Sequence, residues 1–396
     1  VKDMWKNCYS GISRANTAIV KIPEIKMNES KKNRLIAEAR TLRALYYFNL
    51  VRFFGDVPLI LDLKTVEDSK GPRDSKELIY DQIIEDLTFA EEHLPLRSEY
   101  SASDEGRINK GAAKILFGKV YLTKGDFQKA KDKLAEVVEH ESEYGFGLHK
   151  DYHANWLRDT EAGIEAVLYI EYKEPPFQHN GEMALAGPKY SIPGSLGISA
   201  LNEADIPTQE LYDQFDNRDL RKKTNFKTEF AHLKTGEILK SSIPLSGKFW
   251  VEGLETGDRC DVNMHIIRYA DAILMYAEAL NEVGESTKAL AMLNRIRERA
   301  FGDDSGNFKP MSKDEFRTAI LNERRLEFPH EGHRWFDLVR TGTFIQRMKE
   351  HSAYEAKVAE ANKTEIAQNI KEHMILMPIP QSEIDLNPNL VQNAGY

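Results

Sequence analysis

The sequence predicts a mainly α fold in which tetratricopeptide-like helix pairs form a right-handed superhelix, with an irregular insertion and a C-terminal block of helices and loops packed on it. Three observations predict this fold. Apolar residues recur at spacings of three and four over long stretches, which is typical of amphipathic helices. Two of these stretches share one pattern of small and large residues. The helical pattern then fades over residues 142–264, where Gly, Pro and aromatic residues are frequent.

The helical scaffold is expected over residues 4–141 and 265–301. A long helix is predicted over residues 33–54, because its apolar residues form one stripe along the helix surface. Ser75 is a typical N-cap for the next helix, predicted over residues 77–94. These two helices form a pair with a long connection.

Residues 109–140 and 266–301 each read as a helix, a turn containing glycine and a second helix. Their small and large residues fall at the same offsets of 0, 3, 7, 12, 16 and 19: Gly118, Tyr121, Gly125, Ala130, Leu134 and Val137 in the first, and Ala277, Leu280, Gly284, Ala289, Leu293 and Ile296 in the second. Small residues let two helices approach closely, and large residues fill the space between pairs. The spacing therefore predicts tetratricopeptide repeats of about 34 residues. The helix over residues 5–21 is expected to pair with a segment that precedes Val1, which gives about four pairs.

Composition limits the classes of function. The 396 residues are 41% hydrophobic and 30% charged, a balance that builds a core and excludes disorder. A net charge of −9 disfavours general nucleic-acid binding, because contact with phosphates needs concentrated Lys and Arg. No stretch approaches the ~18–20 apolar residues that span a bilayer. Cys8 and Cys260 show no zinc or redox spacing, no cofactor is predicted, and whether the two cysteines pair stays open.

The insertion over residues 142–264 is the expected ligand site, because it concentrates aromatic and planar polar side chains outside any helical stripe. Flat rings can stack on the CH faces of a sugar, and planar polar groups can bind its hydroxyls. The candidate ligand-binding residues are Tyr152, Asn155, Trp156, Phe177, Tyr190, Trp250 and Arg259. The alternative for each ring is that it packs the insertion onto the helices, since aromatic rings are core material first.

Other patterns favour structure over chemistry. Charged residues over 323–331 are spaced by three and four, which predicts a salt-bridged helix face, solvated or buried, in preference to an acid–base cluster. Trp335 lies between charged residues of a predicted helix and is interpreted as structural. His149 and His153 stand four apart without a third ligand, so no metal site is predicted. No catalytic motif is present, and the sequence predicts no enzyme.

Five stretches, read in order, carry a specific resemblance. They are residues 9–16 (YSGISRAN), 37–48 (AEARTLRALYYF) with 54–59 (FGDVPL), 267–280 (IRYADAILMYAEAL), 323–328 (ERRLEF) with 331–340 (EGHRWFDLVR), and 376–384 (LMPIPQSEI) with 387–390 (NPNL). Together they resemble the SusD/RagB family of outer-membrane nutrient-binding lipoproteins of Bacteroidetes. The resemblance covers nearly all of the chain except the insertion.

The resemblance implies one SusD-like domain over residues 1–396, with the C-terminal block at 302–396. It implies a protein on the cell surface, held in the outer membrane by a lipidated N-terminal cysteine, that binds oligosaccharides or related nutrients. Such a protein delivers its ligand to a SusC-like TonB-dependent transporter and does no chemistry. This sequence lacks the lipidated cysteine, and Cys8 lies inside a helical pattern and is not that residue. The resemblance also implies a ligand site that draws on loops near the N-terminus as well as on the insertion, so part of the site is expected to lie outside this sequence.

Two other functions are consistent with the residues alone. A tetratricopeptide-type adaptor would bind a peptide in an open helical groove, which a folded-over insertion and C-terminal block would close. A helical glycoside hydrolase would need two carboxylates about 5–10 Å apart in a cleft, and the many Asp and Glu residues do not exclude it. Steady release of product from a glycan would distinguish the hydrolase from a binding protein.

Overall fold

The protein is described from a computed structural model that covers residues 1–62, 65, 70–173, 180–192, 194–358 and 369–396. These residues divide into two compact units, one formed by Val1–Val137 with Leu338–Tyr396 and the other by Val138–Asp337. The described chain is mainly helical with few short strands, which confirms the predicted fold class. The single domain over residues 1–396 and its internal boundaries stay a prediction.

Helices and strands follow one another in an order close to the one expected. They are α1 (Lys2–Lys21), α2 (Glu29–Phe54), α3 (Lys76–His93), α4 (Lys110–Lys124), α5 (Phe127–Val138), α6 (Glu141–Tyr144), β1 (Ala166–Ile170), α7 (Glu182–Ala186), α8 (Gln209–Asp213), α9 (Lys222–Asn225), β2 (Phe226–Ala231), β3 (Ile238–Ser246), β4 (Met264–Arg268), α10 (Tyr269–Glu282), α11 (Ser286–Phe301), α12 (Lys313–Glu327), α13 (Arg334–Arg340), α14 (Phe344–Val358) and α15 (Gln381–Leu386). Within the described residues, no helix is both long and apolar enough to cross a membrane.

Local side chains fix where the long helices begin. The Asn28 side chain accepts hydrogen bonds from the backbone N–H groups of Ser30 and Lys31, so α2 begins four residues before the predicted start. Ser75 caps α3 as predicted, by accepting from the N–H of Leu78.

The predicted close approach of paired helices is present in both units. In the α4–α5 pair, a Cβ atom added to Gly118 would lie 2.5 Å from Leu134 Cγ, so only glycine fits there. In the α10–α11 pair, Ala277, Ala289 and Leu293 are completely buried. These contacts confirm the tetratricopeptide-like pairs.

The second unit carries two small antiparallel sheets on its helical part. Strand β1 pairs with β4, and β2 pairs with β3. The strand predicted over residues 166–172 is therefore present as β1, two residues shorter. Strand β1 begins and β4 ends beside helix α10, since the N–H of Tyr269 donates to the carbonyl of Glu165 at 2.8 Å.

A buried network of charges holds the loops of the second unit on α12. Arg268 Nε lies 2.7 Å from a Glu331 carboxylate oxygen, and Arg268 Nη1 lies 3.0 Å from Glu327 Oε1. Arg221 Nη1 lies 2.7 Å from Glu323 Oε1. The sequence leaves open whether the charged residues over 323–331 are solvated or buried, and the structure shows that these carboxylates are buried. Their ion-pair partners come from other elements and not from their own helix.

Candidate functional site

Three of the predicted ligand-binding residues lie in the core of the second unit. A short 3-10 turn, Tyr152–Trp156, places Tyr152 and Trp156 in an apolar cluster, with 3% and 4% of their surface exposed, and Asn155 is completely buried. The Tyr152 hydroxyl donates to the carbonyl of Glu327 at 2.7 Å. A ring that stacks on a sugar must reach solvent, so this placement favours the packing alternative. Ligand contact by these three residues remains a prediction.

The buried ammonium group of Lys248 packs against the Trp156 ring, a contact that the sequence does not predict. The Lys248 ammonium lies 2.6 Å from Glu331 Oε1 and 4.5 Å from the centre of the Trp156 ring. Burial lowers the pKa of Lys248 to about 8, against the attraction of Glu331. Lys248 is more than 80 positions from both Glu331 and Trp156 in the sequence, so no local pattern predicts these contacts.

The remaining predicted residues have different surroundings. Trp250 is partly buried, and its ring meets the Phe230 ring edge-on with centroids 4.7 Å apart. Arg259 is exposed at the end of a short 3-10 turn, Gly257–Arg259. Phe177 lies outside the described residues.

Tyr190 is the most exposed of the predicted rings that the structure describes, with 75% of its surface exposed. The loop that carries it is held by one carboxylate, because Glu203 Oε1 accepts from the N–H groups of Lys189, Tyr190 and Ser191 at 2.6–2.9 Å. The Ser191 hydroxyl adds a fourth hydrogen bond at 2.6 Å, and the Ser191 carbonyl accepts from Ser242 of β3 at 2.9 Å. The ring is therefore displayed on an anchored loop.

Glu203 was not singled out by the sequence, yet its environment marks it. Its backbone φ is +53°, a left-handed conformation that is rare outside glycine and asparagine. Partial burial alone would raise the pKa of Glu203, but the hydrogen bonds from Ser191 and the neighbouring backbone lower it below its ordinary value. The ionised carboxylate thus holds the loop through its Oε1 atom. We call Lys189–Ser191 together with Glu203 the tyrosine loop.

The first unit contains a groove of about 580 Å³. Trp5, Tyr9 and Ile12 of α1 line one side, and Leu386 and Leu390 of the C-terminal segment line another. Residues 383–390 of the C-terminal segment therefore lie across this groove from α1.

Comparison with known proteins places this geometry in a family. Residues 244–396 match the SusD family model, and residues 1–122 match a second model described as starch-binding associating with outer membrane. The SusD-like protein P2 of Formosa agariphila is 31% identical, over 100% of this chain and 81% of that relative.

Solved structures agree over the whole chain. A SusD superfamily protein from Parabacteroides distasonis superposes with a TM-score of 0.84 at 29% identity, covering 100% of this chain and 86% of the other. A laminarin-binding SusD-like protein superposes with a TM-score of 0.79 at 29% identity, with the same coverage. The extent of the match to P2, together with both superpositions, shows that this chain belongs to the SusD family.

Proposed function

We propose that this protein captures oligosaccharides at the outer membrane and hands them to a SusC-like TonB-dependent transporter without chemical change. Support for saccharide capture comes from the family, in which one similar structure is described as laminarin-binding and one matched model as starch-binding. The description of that second model also supports association with the outer membrane. Lipid anchoring and delivery to the transporter rest on the resemblance alone.

The observation that carries the proposal is the exposed, anchored ring of Tyr190. A tyrosine face can stack on the CH face of a sugar, and its hydroxyl remains free for solvent or a sugar hydroxyl. Stacking costs less entropy when the loop is already ordered, which is what the four hydrogen bonds to Glu203 provide. Trp250 and Arg259 remain proposed ligand contacts, whereas Tyr152, Asn155 and Trp156 are better placed to support the site from within.

Replacement of Tyr190 tests the proposal directly. We expect Tyr190→Ala to weaken binding of laminarin or starch oligosaccharides by about tenfold or more, as loss of a stacked ring does elsewhere. Tyr190→Phe keeps the ring and should bind within about threefold of the wild type, because stacking depends on the ring face. Isothermal titration calorimetry measures both.

Glu203→Ala distinguishes the contribution of the Tyr190 ring from that of the hydrogen bonds that hold its loop. This variant keeps Tyr190 but removes the acceptor that orders the loop, so binding should weaken although every stacking atom remains. The melting temperature of the Tyr190 variants should stay close to that of the wild type, since the ring is mostly exposed. Unchanged affinity in Tyr190→Ala, for every oligosaccharide that the wild type binds, would remove Tyr190 from the site.

Binding without chemistry has its own test. The protein should leave bound oligosaccharides intact during prolonged incubation, with no new reducing ends. Steady product release at a rate proportional to protein concentration would instead support the hydrolase alternative.

A further inference from the structure

A second solvent-open cavity lies in the predicted insertion, away from the tyrosine loop in sequence. It measures about 460 Å³, within the range of small-ligand sites, and it is bordered by α8, α9 and β2. Lys222, Lys223 and Lys227 line it together with the rings of Tyr212 and Phe226. We call this cavity the lysine pocket.

The two carboxylates that line the pocket are already matched by cations. Asp219 lies 2.7 Å from Arg221, and Glu229 lies 3.2 Å from Lys240 on the paired strand β3.

Two of the three lysines, Lys222 and Lys223, are less fully matched. Lys222 Nζ donates to the carbonyl of Phe215 at 3.3 Å and to Asn217 Oδ1 at 3.2 Å, both uncharged acceptors. Lys223 is exposed, and Lys227 lies 2.8 Å from Glu252. The pocket therefore offers positive charge on a chain whose net charge is −9.

The pocket also presents ring surface beside this charge. Lys222 Nζ lies 4.4 Å from the centre of the Tyr212 ring, and the Tyr212 and Phe226 rings meet edge-on at 5.1 Å. A ligand that satisfies both features combines an anionic group with CH-rich ring faces. Uronic acids and sulfated sugars have this combination.

We propose that the lysine pocket is a subsite for the carboxylate or sulfate groups of acidic oligosaccharides. This inference rests on the proposed capture of oligosaccharides and adds a preference for charge. The pocket and the tyrosine loop belong to one small framework, because β2 pairs with β3 and Ser242 of β3 binds the carbonyl of Ser191.

Matched probes isolate the charge. Binding of tetragalacturonate is compared with its methyl ester, and a sulfated carrageenan tetrasaccharide with its desulfated form, by calorimetry in 20 mM and 500 mM NaCl. At least one acidic probe should bind about fivefold or more tightly than its neutral form at low salt, and the difference should shrink at high salt. The probe that shows the difference identifies carboxylate or sulfate as the preferred group.

Lysine variants locate the effect. Lys222→Met and Lys223→Met should each reduce the preference for the acidic probe while leaving binding of the neutral form unchanged. Lys150→Met is the matched control: this lysine is exposed and does not line the pocket, so the same change in net charge should leave the preference intact. Melting temperatures verify that the variants are folded.

The outcomes separate this inference from the proposed function. If neutral and acidic probes bind equally, or Lys150→Met acts like the pocket variants, the subsite is overturned although capture stands. If no oligosaccharide binds the wild type, acidic or neutral, capture itself is overturned and the subsite with it.

Discussion

Among single residues, Lys248 shows how much the fold has changed an ordinary ionisable group. Its side chain is fully buried beside Glu331, and burial lowers the pKa of its ammonium to about 8 from the ordinary 10.5. The unfolded chain therefore binds the proton more tightly than the folded chain. Between about pH 8 and about pH 10.5, the unfolded state holds more protons, so the contribution of this residue to stability rises with pH.

This sign gives a prediction for Lys248→Met, which removes the titrating group and keeps an apolar stem. The free energy of unfolding of the wild type, minus that of the variant, should increase by up to ~3 kcal/mol between pH 7 and pH 10.5. Urea denaturation at several pH values measures the difference. Lys240→Met is the control, because 79% of its side chain is exposed, and its difference should stay flat. A flat curve for Lys248→Met as well would mean that Lys248 titrates in the folded chain as it does in the unfolded one.

At the scale of elements, the α4–α5 pair depends on one missing side chain. A Cβ atom on Gly118 would lie 2.5 Å from Leu134 Cγ, which is closer than such atoms pack. Alanine is also the better helix former by about 1 kcal/mol, so two opposing effects act at this position.

We predict that Gly118→Ala lowers the free energy of unfolding by about 1–2 kcal/mol, because the steric cost exceeds the gain in helix propensity. In a Leu134→Ala background the clash is gone, and the same substitution should become neutral or stabilising. Urea denaturation of the four proteins in this double-mutant cycle measures the coupling. An equal cost of Gly118→Ala in both backgrounds would contradict the proposed contact with Leu134.

The contrast between this pair and the insertion explains what the sequence predicts well. The repeat positions lie within 20 residues of one another, and helical geometry alone brings Gly118 to Leu134. Tyr152 instead packs against partners distant in sequence, namely the carbonyl of Glu327, 175 residues away, and Arg268 at the end of β4. The composition of the insertion shows that it is rich in aromatic residues. Which of these residues are buried depends on contacts with residues distant in sequence, such as Glu327 and Arg268.

The same reasoning applies to the site. Tyr190 was among the predicted residues because it is an aromatic outside any helical stripe. Glu203 accepts a hydrogen bond from the Tyr190 backbone and so anchors its loop, but it lies 13 positions later, and no sequence pattern links the two residues. The lysine pocket is lined by α8, α9 and β2, short elements inside the stretch that the sequence predicts only as an irregular insertion. Sequence periodicity therefore predicts the scaffold, whereas tertiary contacts determine the chemistry displayed on it.

For the whole molecule, capture and delivery make different demands that uptake measurements can separate. A binding protein raises the local concentration of ligand for its transporter, so its affinity matters when free ligand is scarce and matters little when ligand saturates the transporter directly. A protein needed only as a structural part of the transporter would be required at every concentration.

We therefore predict that cells carrying the full-length protein with Tyr190→Ala take up a bound oligosaccharide more slowly below the dissociation constant of the wild type, by about the factor lost in affinity. At concentrations far above that constant, uptake should approach the wild-type rate, because occupancy no longer limits delivery. Uptake of labelled oligosaccharide over a range of concentrations measures this, with Tyr190→Phe as the matched control and surface labelling to equalise protein amounts. A deficit that persists undiminished at saturation would assign Tyr190 to delivery instead of capture, and wild-type uptake at all concentrations would mean that the ring contributes to neither.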